Sequence, residues 1–300
     1  MRYVIIANPA SGHGRGARMA HDVDAMLRAA GADSRVCPTT ARGEAESIAR
    51  EVIDERPATT NGRVCLVACG GDGTIQEVVN AICAGPPGAA VLGVAPGGRC
   101  NDFAAAFGIR RDPEDVARVL LGGRTRPIDL GRINDRYFCT VAAMGFDAAV
   151  SRYVNDMMMP LTGTAAYVYG TLQMLSRYRP VEVRLSCDAS TYEGPLFLAA
   201  SANTSSYGGR MKIAPQASPH DGLLDLCQVS VLSRLRVVRL LHRVLSGRHV
   251  GLPEVRLRRT RCLTIEAAEP QEVWADGEFV AQTPVTIEAV PNALEMMVPA

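Results

Sequence analysis

The sequence predicts a two-part α/β protein: a doubly wound parallel sheet covered by helices, then a mostly antiparallel β domain. Three observations predict it. Through about residue 121, short β-branched runs alternate with longer helical patterns, the rhythm of βαβ units. After Gly122-Gly123 the texture changes to strand-like segments with only two helical interruptions. Three glycine-bearing turns each follow a predicted strand, where such a sheet offers its ligand crevice.

The first strand is the apolar run Tyr3 to Ala7, followed by a helix over about 16–30, a strand at 34–37 and a helix over 44–55. The apolar runs 63–68 and 90–94 read as strands on either side of a helix over 74–84. Pro113 to Leu121 carries a helical pattern that the Gly122-Gly123 pair breaks. Strands are then expected at 125–130, 137–142, 181–187, 193–200, 224–231, 261–266, 272–274 and 285–290, with helices over 164–177 and 233–246. The change of texture places a boundary near residue 127, between an α/β domain of residues 1–126 and a β-rich domain of 127–292.

Composition narrows the function classes. In 300 residues, 47% hydrophobic and 21% charged residues suit a globular enzyme rather than a disordered chain. No apolar run reaches the roughly twenty residues that cross a bilayer, and the N-terminal run is too short for a signal-peptide core, so a cytoplasmic location is expected. Nine cysteines without a Cys-x-x-Cys pair sit mostly in apolar runs (Cys65, Cys69, Cys139, Cys227), as reduced core thiols do. A net charge of +1 gives no global attraction to nucleic acid, so no nucleic-acid partner is expected. The only lysine is Lys212, which excludes a P-loop.

The glycine turns carry the chemistry. Asn8-Pro9-Ala10-Ser11-Gly12 ends the first strand ahead of a helix, so its N–H groups and the Ser11 hydroxyl read either as an anion site or as a plain turn. Cys69-Gly70-Gly71-Asp72-Gly73-Thr74 repeats the arrangement, with glycines that let backbone approach phosphate oxygens. Asp72 is out of place beside polyphosphate unless it serves a metal, acts as a base, or accepts the loop's own N–H groups. Pro96-Gly97-Gly98-Arg99-Cys100-Asn101-Asp102 forms the third turn. Late in the chain, Asp221-Gly222-Leu223 and Asp276-Gly277-Glu278 put carboxylates in turns between β segments, suited to holding Mg²⁺ or taking a hydroxyl proton, and equally to plain hairpins.

Together these residues resemble the diacylglycerol kinase catalytic-domain superfamily, in particular its bacterial soluble lipid kinases, with sphingosine and ceramide kinases as relatives and NAD kinases more distant. The resemblance covers essentially the whole chain. It rests on Asn8-Pro9 with Ser11-Gly12, Gly70 to Thr74 with Glu77 and Asn80, Asn101 to Ala104, Ile128 to Gly131, Gly145-Phe146-Asp147, Asp221 to Leu223 with Asp225, and Asp276 to Glu278. It implies a Rossmann-like nucleotide-binding domain plus a C-terminal antiparallel β-sandwich domain, ATP in the cleft between them, and a C-terminal strand near 293–300 free to return to the first. Carried over by position, Asn8, Pro9, Ala10, Ser11, Gly12, Thr39, Gly70, Gly71, Asp72, Gly73, Thr74, Ile75, Gln76, Gly98, Arg99, Asn101 and Asp102 are the expected ATP contacts. Glu278 matches the proton acceptor, with Asp276 and Asp72 as further catalytic candidates. Asp221, with the carbonyls of Ser218 and Leu223, matches a Mg²⁺ site.

The implied reaction is ATP- and Mg²⁺-dependent phosphorylation of diacylglycerol or a related lipid alcohol, by a peripheral enzyme at the inner face of the membrane, with homodimerisation left open. Two alternatives stand beside it: a kinase of a soluble alcohol or of NAD, and a nucleotide- or lipid-binding regulatory protein whose turnover is lost through Arg99. Arg99 stands where the family carries a threonine, and its guanidinium either bonds phosphate or fills the site. On the acceptor side, the basic helix 233–246 reads as packing on the β domain with solvated arginines, ahead of a membrane-surface reading. Met157 to Leu161 reads as core filling or as an acyl-chain contact, and Arg256 to Arg261 as an exposed strand face ahead of a phosphate or headgroup contact.

Overall fold

A computed structural model describes residues 1–55, 63–156, 164–188, 190–209 and 211–300. Its elements run β1 (Arg2–Ala7), α1 (Arg15–Ala29), β2 (Asp33–Pro38), α2 (Glu44–Asp54), β3 (Val64–Gly70), α3 (Asp72–Ala84), β4 (Ala90–Pro96), α4 (Asp102–Ala106) and α5 (Pro113–Gly122). Then follow β5 (Thr125–Ile133), β6 (Arg136–Phe138), β7 (Val141–Gly145), α6 (Phe146–Asp156), α7 (Thr164–Leu175), β8 (Val181–Cys187), β9 (Ser190–Ala202), β10 (Leu224–Ser230), α8 (Arg234–Ser246), β11 (Val255–Thr260), β12 (Cys262–Ala267), β13 (Glu272–Ala275), β14 (Glu278–Gln282) and β15 (Val285–Met297). They form two compact units, residues 1–128 with 292–300, and residues 129–291.

The first unit is built on a parallel sheet ordered β2-β1-β3-β4, with the end of β15 beside β4, where Met296 lies opposite Leu92. Every residue of β3 and β4 is buried, as central parallel strands require. Helices α1 and α5 pack together on this sheet, as do α2 and α3. Local sequence fixes their ends: Pro113 opens α5 and Gly123, in the left-handed region, closes it. Because β1 has β2 on one side and β3 on the other, the chain reverses direction across the sheet between β1 and β3. The turns leaving these two strands therefore flank a topological switch point.

The second unit is antiparallel, ordered β14-β13-β7-β9-β8-β12-β15, with β10 and β11 continuing from β9. One apolar cluster, including Phe138, Leu185, Leu226, Leu263 and Ile287, fills one side of it. A second, built on Phe146, Phe197, Cys227 and Val237, lies under the helices.

Four elements depart from expectation, among them the short helix α4, which follows directly from the third glycine turn. The strand expected over 137–142 is broken into β6 and β7, because the N–H groups of Cys139 and Thr140 turn to the Asp276 carboxylate instead of a neighbouring strand. Helix α6 was unforeseen, since its inward side includes Asp147 and Ser151 and so blurs the apolar stripe. Strand β14 was missed because its partly exposed residues show no alternation. Met157 to Leu161 lies outside the described residues.

Candidate active site

In the first unit, three turns meet backbone against backbone. Gly97 N donates to Gly70 O at 2.8 Å, and Asn8 N to Cys69 O at 2.9 Å. Gly98 is locked by Asn101, whose Oδ1 accepts the Gly98 N–H at 2.9 Å while its Nδ2 donates to Gly98 O at 3.1 Å. A Cβ on Gly98 would fall 2.3 Å from Gly71 Cα, so close approach of the two loops forces glycine there. Gly71 is different. Its φ of −92° and ψ of −175° suit any residue, and a Cβ would meet nothing nearer than Gly98 Cα at 3.5 Å and Ser11 Oγ at 3.6 Å. Folding does not demand glycine at 71; the missing side chain leaves open space beside the Ser11 hydroxyl and the N-terminus of α3.

The carboxylates of this unit hold the turns in place. Asp72 Oδ1 accepts the Phe103 N–H at 3.1 Å, tying the start of α3 to the start of α4. Burial pushes its carboxyl above the usual range, against the pull of the N–H groups of Phe103, Asp102 and Asn101. Of the three roles the sequence leaves open for Asp72, the geometry displays acceptance of loop N–H groups. Glu77 reaches from α3 to the N-terminus of α2, where it accepts from Gly43 N at 2.9 Å and Ala45 N at 3.1 Å. Thr39 is buried at the end of β2, with its N–H on Ala7 O at 2.7 Å. Thr74, Ile75 and Gln76 are buried in the first turn of α3.

Arginines surround the turns. Arg15 Nε donates to Gly12 O at 2.9 Å and its Nη2 to Gly98 O at 3.4 Å, bridging the first and third turns. Arg111 Nη2 donates to Arg99 O at 2.5 Å and Cys100 O at 2.8 Å. The Arg99 side chain is exposed and, among the described residues, makes no hydrogen bond or ion pair, so it does not pack into the turn. Sequence reasoning passed over Arg15 and Arg111. The arginine one residue past Gly14 was the only available signal for the first; the second has none.

The second unit carries the other predicted carboxylates. In the β13–β14 turn, Asp276 (φ 53°) and Gly277 (φ 83°) are both left-handed, the signature of a tight hairpin. Asp276 accepts from Cys139 N at 2.7 Å, Thr140 N at 2.8 Å and Thr140 Oγ1 at 2.5 Å. It thereby anchors the turn from which Glu278, half-buried, begins β14. Nearby, Asn203 is fully buried and its Nδ2 donates to Asp129 O and Cys139 O, a fastening the sequence did not reveal.

Asp221 follows the turn 218–220 and accepts the Leu223 N–H on Oδ1, while Asp129 Oδ2 accepts the Gly222 N–H at 2.7 Å. Arg259 lies against two carboxylates, 3.7 Å from Asp221 Oδ2 and 3.6 Å from Asp225 Oδ1. Asp225 Oδ2 is buried without a hydrogen-bond partner. An orphaned acceptor beside a second carboxylate fits a hard cation, with Arg259 as its competitor. Among the described residues no cage of three or more His, Cys, Asp or Glu exists, so further ligands would be carbonyls and water.

Beneath α7 and α8 lies an apolar cavity of about 100 Å³, walled by residues including Val150, Phe197, Met211, Val237, Leu240 and Val244. Among its polar lining residues, which include Thr171 and His249, is Asp147, to which the Tyr207 hydroxyl donates a short hydrogen bond. Burial pushes the Asp147 carboxyl up to about 6 and Tyr207 well above its ordinary value.

A parallel unit with its turns gathered at a switch point is followed in sequence by an antiparallel unit bearing carboxylate turns and an apolar cavity, a two-unit α/β class of fold. Family comparison makes the class specific. Residues 2–133 match the diacylglycerol kinase catalytic domain and residues 140–298 match the YegS C-terminal NAD kinase beta sandwich-like domain. A diacylglycerol kinase of Mycobacterium tuberculosis (strain H37Rv) is 36% identical over 98% of this chain and 94% of its own. One of Bacillus subtilis (strain 168) is 31% identical over 93% and 90%. A solved structure from Bacillus anthracis str. Sterne superposes with a TM-score of 0.80 over 99% of this chain and 97% of its own at 22% identity, a likeness of fold. The chain belongs to the diacylglycerol kinase catalytic-domain family and is an enzyme of the lipid-kinase class. A kinase of this family takes its phosphoryl group from ATP.

Proposed function

We propose that this enzyme transfers the γ-phosphoryl group of ATP to the hydroxyl of diacylglycerol or a closely related lipid alcohol. The observation that carries this reading is Gly71, a glycine whose side-chain space the fold leaves open beside Ser11 Oγ and a helix N-terminus. In this reading Asn8 to Gly12, Gly70 to Gln76 and Gly98 to Asp102 bind the ATP phosphates. Asp72 and Arg15 fix the turns that do so, and the exposed Arg99 guanidinium replaces a hydroxyl with a charge-assisted bond to phosphate.

The second unit supplies the acceptor. The cavity beneath α7 and α8 holds part of an acyl chain, and Glu278 takes the hydroxyl proton, which is needed late because phosphoryl transfer runs through a loose transition state. Asp276 orients the turn that presents Glu278. When bound, Mg²⁺ supplies charge neutralisation; Asp221 and Asp225 would hold it together with the carbonyls of Ser218 and Leu223.

An acceptor panel tests the assignment. Purified enzyme given radiolabelled ATP, Mg²⁺ and a set of diacylglycerols, other lipid alcohols and soluble alcohols should label the lipids. Label on soluble acceptors alone would refute it.

A further inference from the structure

Helices α7 and α8 turn opposite faces to different surroundings. Tyr167 and Thr171 of α7, with Val237, Leu240 and Val244 of α8, wall the apolar cavity. Tyr169 and Leu172, at one-turn spacing, face away from it and are exposed. So are Leu235, Val238 and Leu245 of α8, with Val231 just before it. Of the ten exposed large hydrophobic residues among those described, six belong to this one region, and Leu235 is 59% exposed. Scattered apolar residues need no explanation, but six exposed ones on and beside two helices that wall one cavity do. Arg234 Nη2, donating to Ser176 O at 2.8 Å, ties the start of α8 to the turn after α7.

The charge carried by the two helices themselves has one sign. From 231 to 253 the chain holds Arg234, Arg236, Arg239, Arg243 and Arg248 and no Asp or Glu, and α7 carries no charge at all. Among the described residues, only Arg236 of the five has an ion-pair partner, Glu254 at 3.1 Å. By helical spacing Arg234 and Arg239 flank the exposed Leu235 and Val238, and Arg243 lies one turn beyond Arg239. Leucine and valine at the centre with arginine at the rim is the composition of an interfacial helix, with apolar side chains for the acyl boundary and guanidinium groups for phosphate headgroups.

We propose that the outer face of α7 and α8 docks this enzyme on an anionic lipid bilayer, directly over the cavity that receives the acyl chain. The proposal rests on the lipid-acceptor reading above. It replaces the expectation that α8 only packs on the β domain: Val237 and Leu240 do pack there, and Leu235 and Val238 are left for the membrane.

The test compares wild type with the double variant Leu235→Ser/Val238→Ser in flotation with vesicles of phosphatidylcholine containing about a third phosphatidylglycerol. Both positions are exposed, so the thermal midpoint should hold. Wild type should bind these vesicles at least about tenfold more tightly than pure phosphatidylcholine, and should lose binding between about 0.1 and 0.5 M NaCl. The double variant should bind about tenfold more weakly and turn over long-chain diacylglycerol in vesicles more slowly, while a monomeric short-chain diacylglycerol is phosphorylated as by wild type. Unchanged vesicle binding in the variant overturns the docking face. So does a wild-type dimer that the variant dissolves without loss of vesicle binding, which makes the face a contact between copies. Failure of both proteins to phosphorylate the short-chain acceptor instead overturns the lipid-kinase reading, and is told apart because vesicle binding is measured separately.

Discussion

The two units build their candidate sites from different material. In the first, glycines bring the turns together backbone to backbone, and the carboxylates of Asp72 and Glu77 hold backbone in place. In the second, the strands pair antiparallel, and the candidate carboxylates Asp276 and Asp221 are set in turns. A site made of backbone fails when a side chain is added. A site made of side chains fails when one is removed.

The largest effects should come from adding a methyl group to the turns. Gly98→Ala and Gly71→Ala differ by the same atom but test different things. At 98 the new Cβ lies 2.3 Å from Gly71 Cα, so the loops must separate. We expect a stability loss of about 1–3 kcal/mol together with loss of nearly all kinase activity. At 71 the new Cβ makes ordinary contacts, so the thermal midpoint should stay within a few degrees while the rate falls about a hundredfold or more. Denaturation and turnover measured on both variants decide it: full activity in Gly71→Ala means that the space beside Ser11 holds no phosphate.

Next come removals in the second unit. Glu278→Gln should lower turnover about 10²- to 10⁴-fold, the usual worth of a positioned base, with stability changed by less than about 0.5 kcal/mol. Asp276→Ala abandons the N–H groups of Cys139 and Thr140 and should cost about 1–3 kcal/mol per donor left unsatisfied, so activity and stability fall together. If Asp276→Ala loses rate without stability, it is the reacting carboxylate and Glu278 is not.

The same contrast explains what the sequence could show. Glycine doublets after apolar runs are a local signal, so the turns at Gly70 and Gly97 were readable from spacing and strand order alone. Nothing local distinguishes the Asp276 turn from any other Asp-Gly hairpin; only the family resemblance singled it out, and its bonds to Cys139 and Thr140 span 136 and more residues of chain. Arg15, Arg111 and Asn203 act through carbonyls distant in sequence, and a contact made to backbone leaves no trace in the partner's residue type. The strand break at Cys139-Thr140 escaped for the same reason. Asp147 was legible only as one letter of a motif, because its meaning comes from burial.

That burial gives the smallest and most specific test. Asp147 sits at the apolar cavity with its carboxyl raised to about 6, chiefly by desolvation. In the unfolded chain it titrates near 4. A raised carboxyl pKa means that the folded state holds the proton more tightly, so the associated stability is complete below about pH 4 and is lost as the pH rises through about 6. Between pH 5 and 7 wild type should therefore lose about 1–2 kcal/mol relative to Asp147→Asn, whose amide oxygen still accepts from Tyr207 but cannot ionise. Chemical denaturation of the two proteins across that range measures the difference directly. Parallel pH curves would mean that Asp147 is solvated in the folded state, and the cavity beneath α7 and α8 would then be wet rather than ready for an acyl chain.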